Sequence, residues 1–174
     1  MHELMALILW ALLIGIGATL ILDLWTLFLT RVLKIPGPNW AMVGRWIGHF
    51  PRGQFVHQSI AQAAAIPAER SLGWLAHYLT GVIFAALLLL IQGLQWAQQP
   101  TLAPALFIGV LTVGAPFFLM QPGMGAGIAA SKMPKPNVAR LRSLIAHSVF
   151  GLGLYGAGLF WAWVLGPSLP RYLP

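Results

Sequence analysis

The chain of 174 residues contains no cysteine and only three acidic residues. The absence of cysteine excludes disulfides, thiolate catalysis and zinc or iron–sulfur sites ligated by cysteine. Charged residues make up 7% of the sequence, whereas a soluble domain carries about 25%. This shortage of charge excludes a disordered chain, a coiled coil and an ordinary soluble enzyme.

Hydrophobic residues make up 59% of the chain, and its mean hydropathy is +0.80. Four apolar runs, at about residues 5–29, 72–91, 102–120 and 144–164, approach or exceed the length of about 20 residues that a membrane-spanning helix needs. The first run follows Met1, His2 and Glu3, which lack the positive charge of a secretory signal, and it is therefore interpreted as a retained helix. The sequence predicts an all-α membrane protein with four transmembrane helices.

The ten basic residues give the chain a formal net charge of +7. Nine of them lie in the two loops that join the first span to the second and the third span to the fourth: Arg31, Lys34, Arg45, Arg52, Arg70, Lys132, Lys135, Arg140 and Arg142. The opposite side carries only Arg171. By the positive-inside rule, this asymmetry predicts that both basic loops lie in the cytoplasm and that both termini lie outside. It favours contact with anionic lipids over contact with nucleic acid.

A weak internal repeat divides the chain into two helical hairpins. His77 and Gly81 align with His147 and Gly151 at the same offset that relates Arg70 to Arg140. The hairpins are predicted at residues 1–98 and 99–174 of one integrated membrane domain, as a parallel repeat. An insert at about residues 40–66 is predicted to form two short helices at the cytoplasmic interface, the first capped by Asn39 and the second covering residues 54–65.

Three ionisable residues are predicted to share one depth inside the membrane. Asp23 is the only acid inside a span, and it lies about 12 Å of helix before Arg31. His77 and His147 lie at equivalent positions of the repeat, near the same level. A carboxylate in a membrane is costly unless it is paired or hydrated, so we expect the three side chains to form one polar layer.

Three interpretations of this layer are open. A carboxylate bonded to an imidazole can simply join helices. The same groups can form a proton or ion pathway, because histidine titrates near neutral pH. His77 and His147 are also weak candidates for ligating a metal ion or a haem, although no cofactor is expected from the motifs present.

The third span is predicted to break at its cytoplasmic end. One proline and three glycines interrupt the helix there, and interrupted membrane helices expose backbone groups to ligands. The residues proposed as a gate or ligand contact are Gln121, Pro122, Gly123, Gly125 and Gly127. The alternative is a kinked helix end followed by a flexible turn.

Four segments resemble one family of prokaryotic membrane proteins, domain-of-unknown-function family 2938. The segments are GIGATLILDLW, GRWIGHFPRGQFVH, GWLAHYLTG and MQPGMGAGIAASKMPKPNVARLRSLIAHSVFGLGLY. The resemblance covers nearly the whole chain and implies a bacterial four-helix membrane protein. It implies no activity, ligand or site residue.

The leading functional hypothesis is a small transport or permeation component for a proton, an ion or a small solute. Four helices leave little room for a path within one chain, so a homo-oligomer is expected. A metal- or haem-binding membrane enzyme and a non-catalytic scaffold or accessory subunit are the alternatives. An enzyme is disfavoured, because the sequence shows no Ser–His–Asp order, no paired carboxylates and no HExxH motif.

Overall fold

A computed structural model describes residues 2–165, whose regular secondary structure is helical with no β-strand. The α-helices are α1 (His2–Arg31), α2 (Trp40–Gly48), α3 (Glu69–Gln92), α4 (Gln95–Gln98), α5 (Leu102–Leu111), α6 (Gln121–Gly123) and α7 (Pro136–Leu165). A π-helical turn, Pro116–Met120, joins α5 to α6, and 3₁₀ turns lie at Phe50–Arg52, Ile60–Gln62 and Ile128–Ala130. Arg171 lies outside the described residues.

Four helical stretches among the described residues are long and apolar enough to cross a membrane: His2–Arg31, Glu69–Gln92, Leu102–Gly123 and Pro136–Leu165. The prediction of a four-span helical protein is confirmed at this level. The last helix starts eight residues before the predicted apolar run. Pro136 occupies its first position, where the missing N–H and the fixed φ suit a helix start, so the basic segment up to Arg142 is also helical.

The bundle is centred on α1, which packs against both α3 and α7, while α5 packs mainly against α7. The backbones approach closely at glycines: Gly15 lies against Val82, and Gly109 lies against Gly151. Small residues allow such contacts between helices in lipid. The core between the helices contains Trp10, Ile14, Leu88, Leu89, Ile108 and Leu154.

Large apolar side chains cover the outside of all four long helices. Leu24, Leu79, Phe107 and Trp163 are among the most exposed of them. In water such a surface would be an association site, whereas in a bilayer it contacts lipid at no cost. The exposed apolar surface therefore supports the same conclusion as the length and hydropathy of the helices, that they can cross a membrane.

The insert between α1 and α3 docks on α3 through its one α-helix. Asn39 caps α2, because its side chain accepts a hydrogen bond of 3.1 Å from the Ala41 N–H. A Cβ atom added to Gly44 would collide with the Glu69 carbonyl, and one added to Gly73 would collide with the Trp40 carbonyl. Helices α2 and α3 therefore cross with their backbones in direct contact.

The second predicted helix of the insert, at residues 54–65, does not form; only the 3₁₀ turn Ile60–Gln62 is present. Its backbone groups bond to other segments instead. The amide N–H groups of His57 and Ile60 donate to the carbonyls of Gly123 and Met124, at 2.8 and 3.1 Å. Arg45 binds three carbonyls of residues 60–63. These contacts give hydrogen-bond partners to backbone N–H and C=O groups that would otherwise be paired within a helix.

Candidate functional site

Asp23 of α1 and two neighbouring residues of α3 form a hydrogen-bonded group. His77 Nε2 lies 2.9 Å from Asp23 Oδ1, and the Tyr78 hydroxyl donates to Asp23 Oδ2 over 2.8 Å. Both carboxylate oxygens therefore have a donor from the facing helix. The Asp23 side chain is still 22% exposed and that of His77 is 9% exposed, so the carboxylate stays accessible from one side.

The packing of α1 on α3 fixes this alignment. A Cβ atom added to Gly81 would collide with Thr19, one helical turn before Asp23 along α1. The Thr19 hydroxyl bonds to the Gly15 carbonyl of its own helix at 2.8 Å, so it needs no partner on α3. Because the two helices are antiparallel, one turn further along α1 corresponds to one turn back along α3, at His77.

Helix α2 covers one face of the His77 ring. The Trp40 and His77 ring centroids are 4.0 Å apart and the ring planes differ by 26°, which is a stacked arrangement. Trp74 contacts the same imidazole edge-on at 5.7 Å. The ring is thus held between the Asp23 carboxylate and two indoles, and its orientation is fixed.

His147 bonds to α5 rather than to Asp23. Its Nδ1 lies 3.1 Å from the Thr112 hydroxyl and 3.3 Å from the Gly109 carbonyl. Leu13 contacts Trp161, and Ala18, further along α1, contacts Gly153, so α1 and α7 run antiparallel. This alignment puts His147 near the depth of Asp23. The side chain turns toward α5 because His147 shares a helix face with Gly151, which packs on Gly109.

The three residues predicted to form one polar layer therefore belong to two separate groups. The structure brings Asp23 and His77 together and leaves His147 with Thr112. Among residues 2–165, no three histidine, aspartate or glutamate side chains come close enough to hold a metal ion together. His77 and His147 point to different partners, so the pair does not face a shared position.

The break in the third span contacts the insert, and none of its residues bonds to Asp23. Gly123 lies against the Trp46 indole, and its carbonyl accepts the His57 N–H. Gln121 Oε1 is buried without a partner in the described part of the chain. Pro122, Gly125 and Gly127 line an open cavity of about 400 Å³.

An ion pair fixes the insert to the start of α3. Arg45 Nε and Nη2 donate to the two Glu69 carboxylate oxygens at 2.8 and 2.9 Å. The hydrogen bond that Arg45 donates to Glu69 raises the pKa of Arg45 above its usual value. Sequence reasoning missed this pair and also Tyr78, Trp40 and Thr112. The sequence does contain a signal for Glu69. The chain has three acidic and ten basic residues, so each carboxylate is a candidate for an ion pair.

These features define an all-helical protein with four helices able to cross a membrane and a carboxylate–imidazole pair within the first two of them. The chain belongs to the family described as "Protein of unknown function (DUF2938)", whose model matches residues 12–161. This confirms the family resemblance. No curated protein and no solved structure matches the chain.

Proposed function

We propose that the chain is a small transport or permeation component of the bacterial inner membrane, and that Asp23 and His77 form its proton-binding site. The single observation that carries the proposal is the 2.9 Å contact between a carboxylate and an imidazole inside two apolar helices. Ionisable side chains in membrane spans are rare, and where they occur they mark ion and proton pathways.

The chemistry of the pair suits a proton. Asp23 offers two oxygens, and Tyr78 and His77 each donate to one of them. Uptake of a proton would neutralise the carboxylate and weaken both hydrogen bonds. A protonated imidazole can give its proton to the carboxylate that it touches, so the two side chains form a short relay.

The charge distribution supports an orientation for this path. We place both basic loops in the cytoplasm and both termini outside, by the positive-inside rule. Asp23 then lies in the cytoplasmic part of the first span, below the insert. We further propose the two hairpins as a parallel repeat, contact with membrane lipids, and a homo-oligomer that supplies the path one chain is too narrow to enclose.

Proton uptake into proteoliposomes tests this proposal, with the two membrane histidines as a matched pair. Vesicles that contain the wild-type protein are expected to take up protons faster than protein-free vesicles. His77→Gln is expected to lower the rate about tenfold or more, since it removes the group that touches Asp23. His147→Gln is expected to keep the rate within about twofold, because His147 bonds only to α5. Wild-type vesicles as tight as protein-free ones, or equal losses in both variants, would contradict the proposal.

The scaffold hypothesis rests on the same contacts. Both Asp23 oxygens are paired with donors of α3, as they would be if the group served only to join two helices. On that account His77→Gln lowers the stability of the bundle and no variant changes proton flux. A thermal melt run beside the flux measurement therefore separates the two functions.

A further inference from the structure

An open cavity lies beside the break in the third span. It is lined by Val56, His57, Pro122, Gly125, Gly127, Ile128, Ser131 and Lys132. Its volume of about 400 Å³ lies within the range of small-molecule sites. It belongs to neither the Asp23 group nor the His147 group, so its use is independent of the proposed proton path.

The charge at this wall is positive. Lys132 is the charged side chain among the lining residues, and no aspartate or glutamate of the described part of the chain lines the cavity. Asp23 is bonded to His77 and Tyr78, and Glu69 is bonded to Arg45. An anion in the cavity would therefore meet attraction without repulsion from a neighbouring acid.

The backbone of the wall offers unused donors. In the described part of the chain, no carbonyl or side chain accepts from the amide N–H groups of Gly127 and Ile128. The loop that carries them has left-handed backbone at Gly125, Gly127, Ala129 and Ala130, with φ of 93°, 75°, 47° and 59°. Left-handed conformations cost energy at alanine, and consecutive free amides in such a loop form anion-binding concavities.

His57 lines the wall, and its Nδ1 lies 3.4 Å from the Gly123 carbonyl. Its Nε2 is buried with no partner in the described residues, so it is closed to a ligand in the cavity. A phosphate group has the oxygens that Lys132 and the free amides can bind.

We propose that this cavity binds a phosphate group carried by a larger molecule. Lys132 and the Gly127 and Ile128 amides supply its polar contacts. Val56 and Ile128, which are 75% and 60% exposed, supply apolar surface for the attached part. A phospholipid headgroup and a soluble phosphate compound both have this chemistry. Both are possible sources, because the cavity opens at the end of a membrane-spanning stretch.

Two lysines of the same loop give a matched test. Lys132 lines the cavity and Lys135 does not, yet each alanine variant removes one positive charge. Full-length protein in detergent is titrated with radiolabelled inorganic phosphate by equilibrium dialysis. In a second arm, native mass spectrometry compares retention of phosphatidic acid with that of diacylglycerol, which has no phosphate.

Wild-type protein is expected to bind at least one of the two phosphate sources, and phosphatidic acid in preference to diacylglycerol if the lipid is the source. Lys132→Ala is expected to weaken that binding about tenfold, and Lys135→Ala to change it less than about twofold. Binding of inorganic phosphate assigns the site to soluble compounds, and binding of the lipid alone assigns it to a headgroup. Failure of both sources to bind, or equal effects of the two lysine variants, would overturn the proposal.

Discussion

Replacement of Asp23 by asparagine is expected to reduce proton uptake in proteoliposomes to that of protein-free vesicles, a loss of about 100-fold or more. The amide has no titratable proton, so the relay between His77 and the carboxylate has no acceptor. The bundle should persist, because the amide oxygen accepts the His77 N–H and the amide N–H₂ donates to the Tyr78 hydroxyl. The signal of a pH-sensitive dye inside the vesicles reports proton uptake and measures the effect.

The conservative variant Asp23→Glu is the control for this result. It keeps a carboxylate but lengthens the side chain by one methylene, so it should retain part of the flux while misplacing the contact to His77. If the melting temperature of Asp23→Asn is close to that of the wild type, the loss of proton flux comes from the missing carboxylate and not from unfolding. Normal flux in Asp23→Asn would rule out Asp23 as the proton acceptor.

The second large effect is expected at the crossing of α2 and α3. Gly44→Ala places a methyl group against the Glu69 carbonyl and the Gly73 amide, where the backbone leaves no space. The insert must then move off α3, at a cost of about 3 kcal/mol. Undocking also removes Trp40 from the His77 ring, so the cover of the Asp23 group is lost together with the helix.

Trypsin provides the measurement, because Arg45 is a cleavage point within α2, next to Gly44 at the crossing. If local opening limits cleavage, a cost of about 3 kcal/mol speeds it roughly 100-fold. Gly156→Ala is the matched control. A Cβ atom there meets only Ile21 Cδ1 at 3.7 Å, an ordinary contact, so cleavage should stay at the wild-type rate. Equal cleavage of wild type and Gly44→Ala would contradict the tight crossing.

The four spans follow from the sequence because hydropathy and helix length are local properties. The depth of Asp23, His77 and His147 also follows, since it is a count of residues from a loop. What the sequence does not contain is the direction in which each side chain leaves its helix relative to the neighbouring helices. That direction depends on which glycines pack against each other, and Gly151 on Gly109 turns His147 toward α5.

The insert shows the same limit in a different form. Asn39 before Trp40 predicts a helix start, because an asparagine side chain can accept an N–H from the first turn. The extended course of the chain beyond Gly53 depends on carbonyls of Gly123 and Met124, about 65 residues away. No local pattern in residues 54–65 carries that information, and their composition alone allows a helix.

The measurement that tests the proton-binding claim most directly is the infrared difference spectrum of the protein in lipid on acidification. The chain has only three acidic side chains, so a carboxylic C=O band can be assigned by single substitutions. Proton binding at Asp23 predicts a band that appears with proton uptake, shifts in His77→Gln and is absent in Asp23→Asn. A spectrum in which the Asp23 band stays unchanged over the pH range of transport would contradict proton binding there, because the carboxylate would then take up no proton.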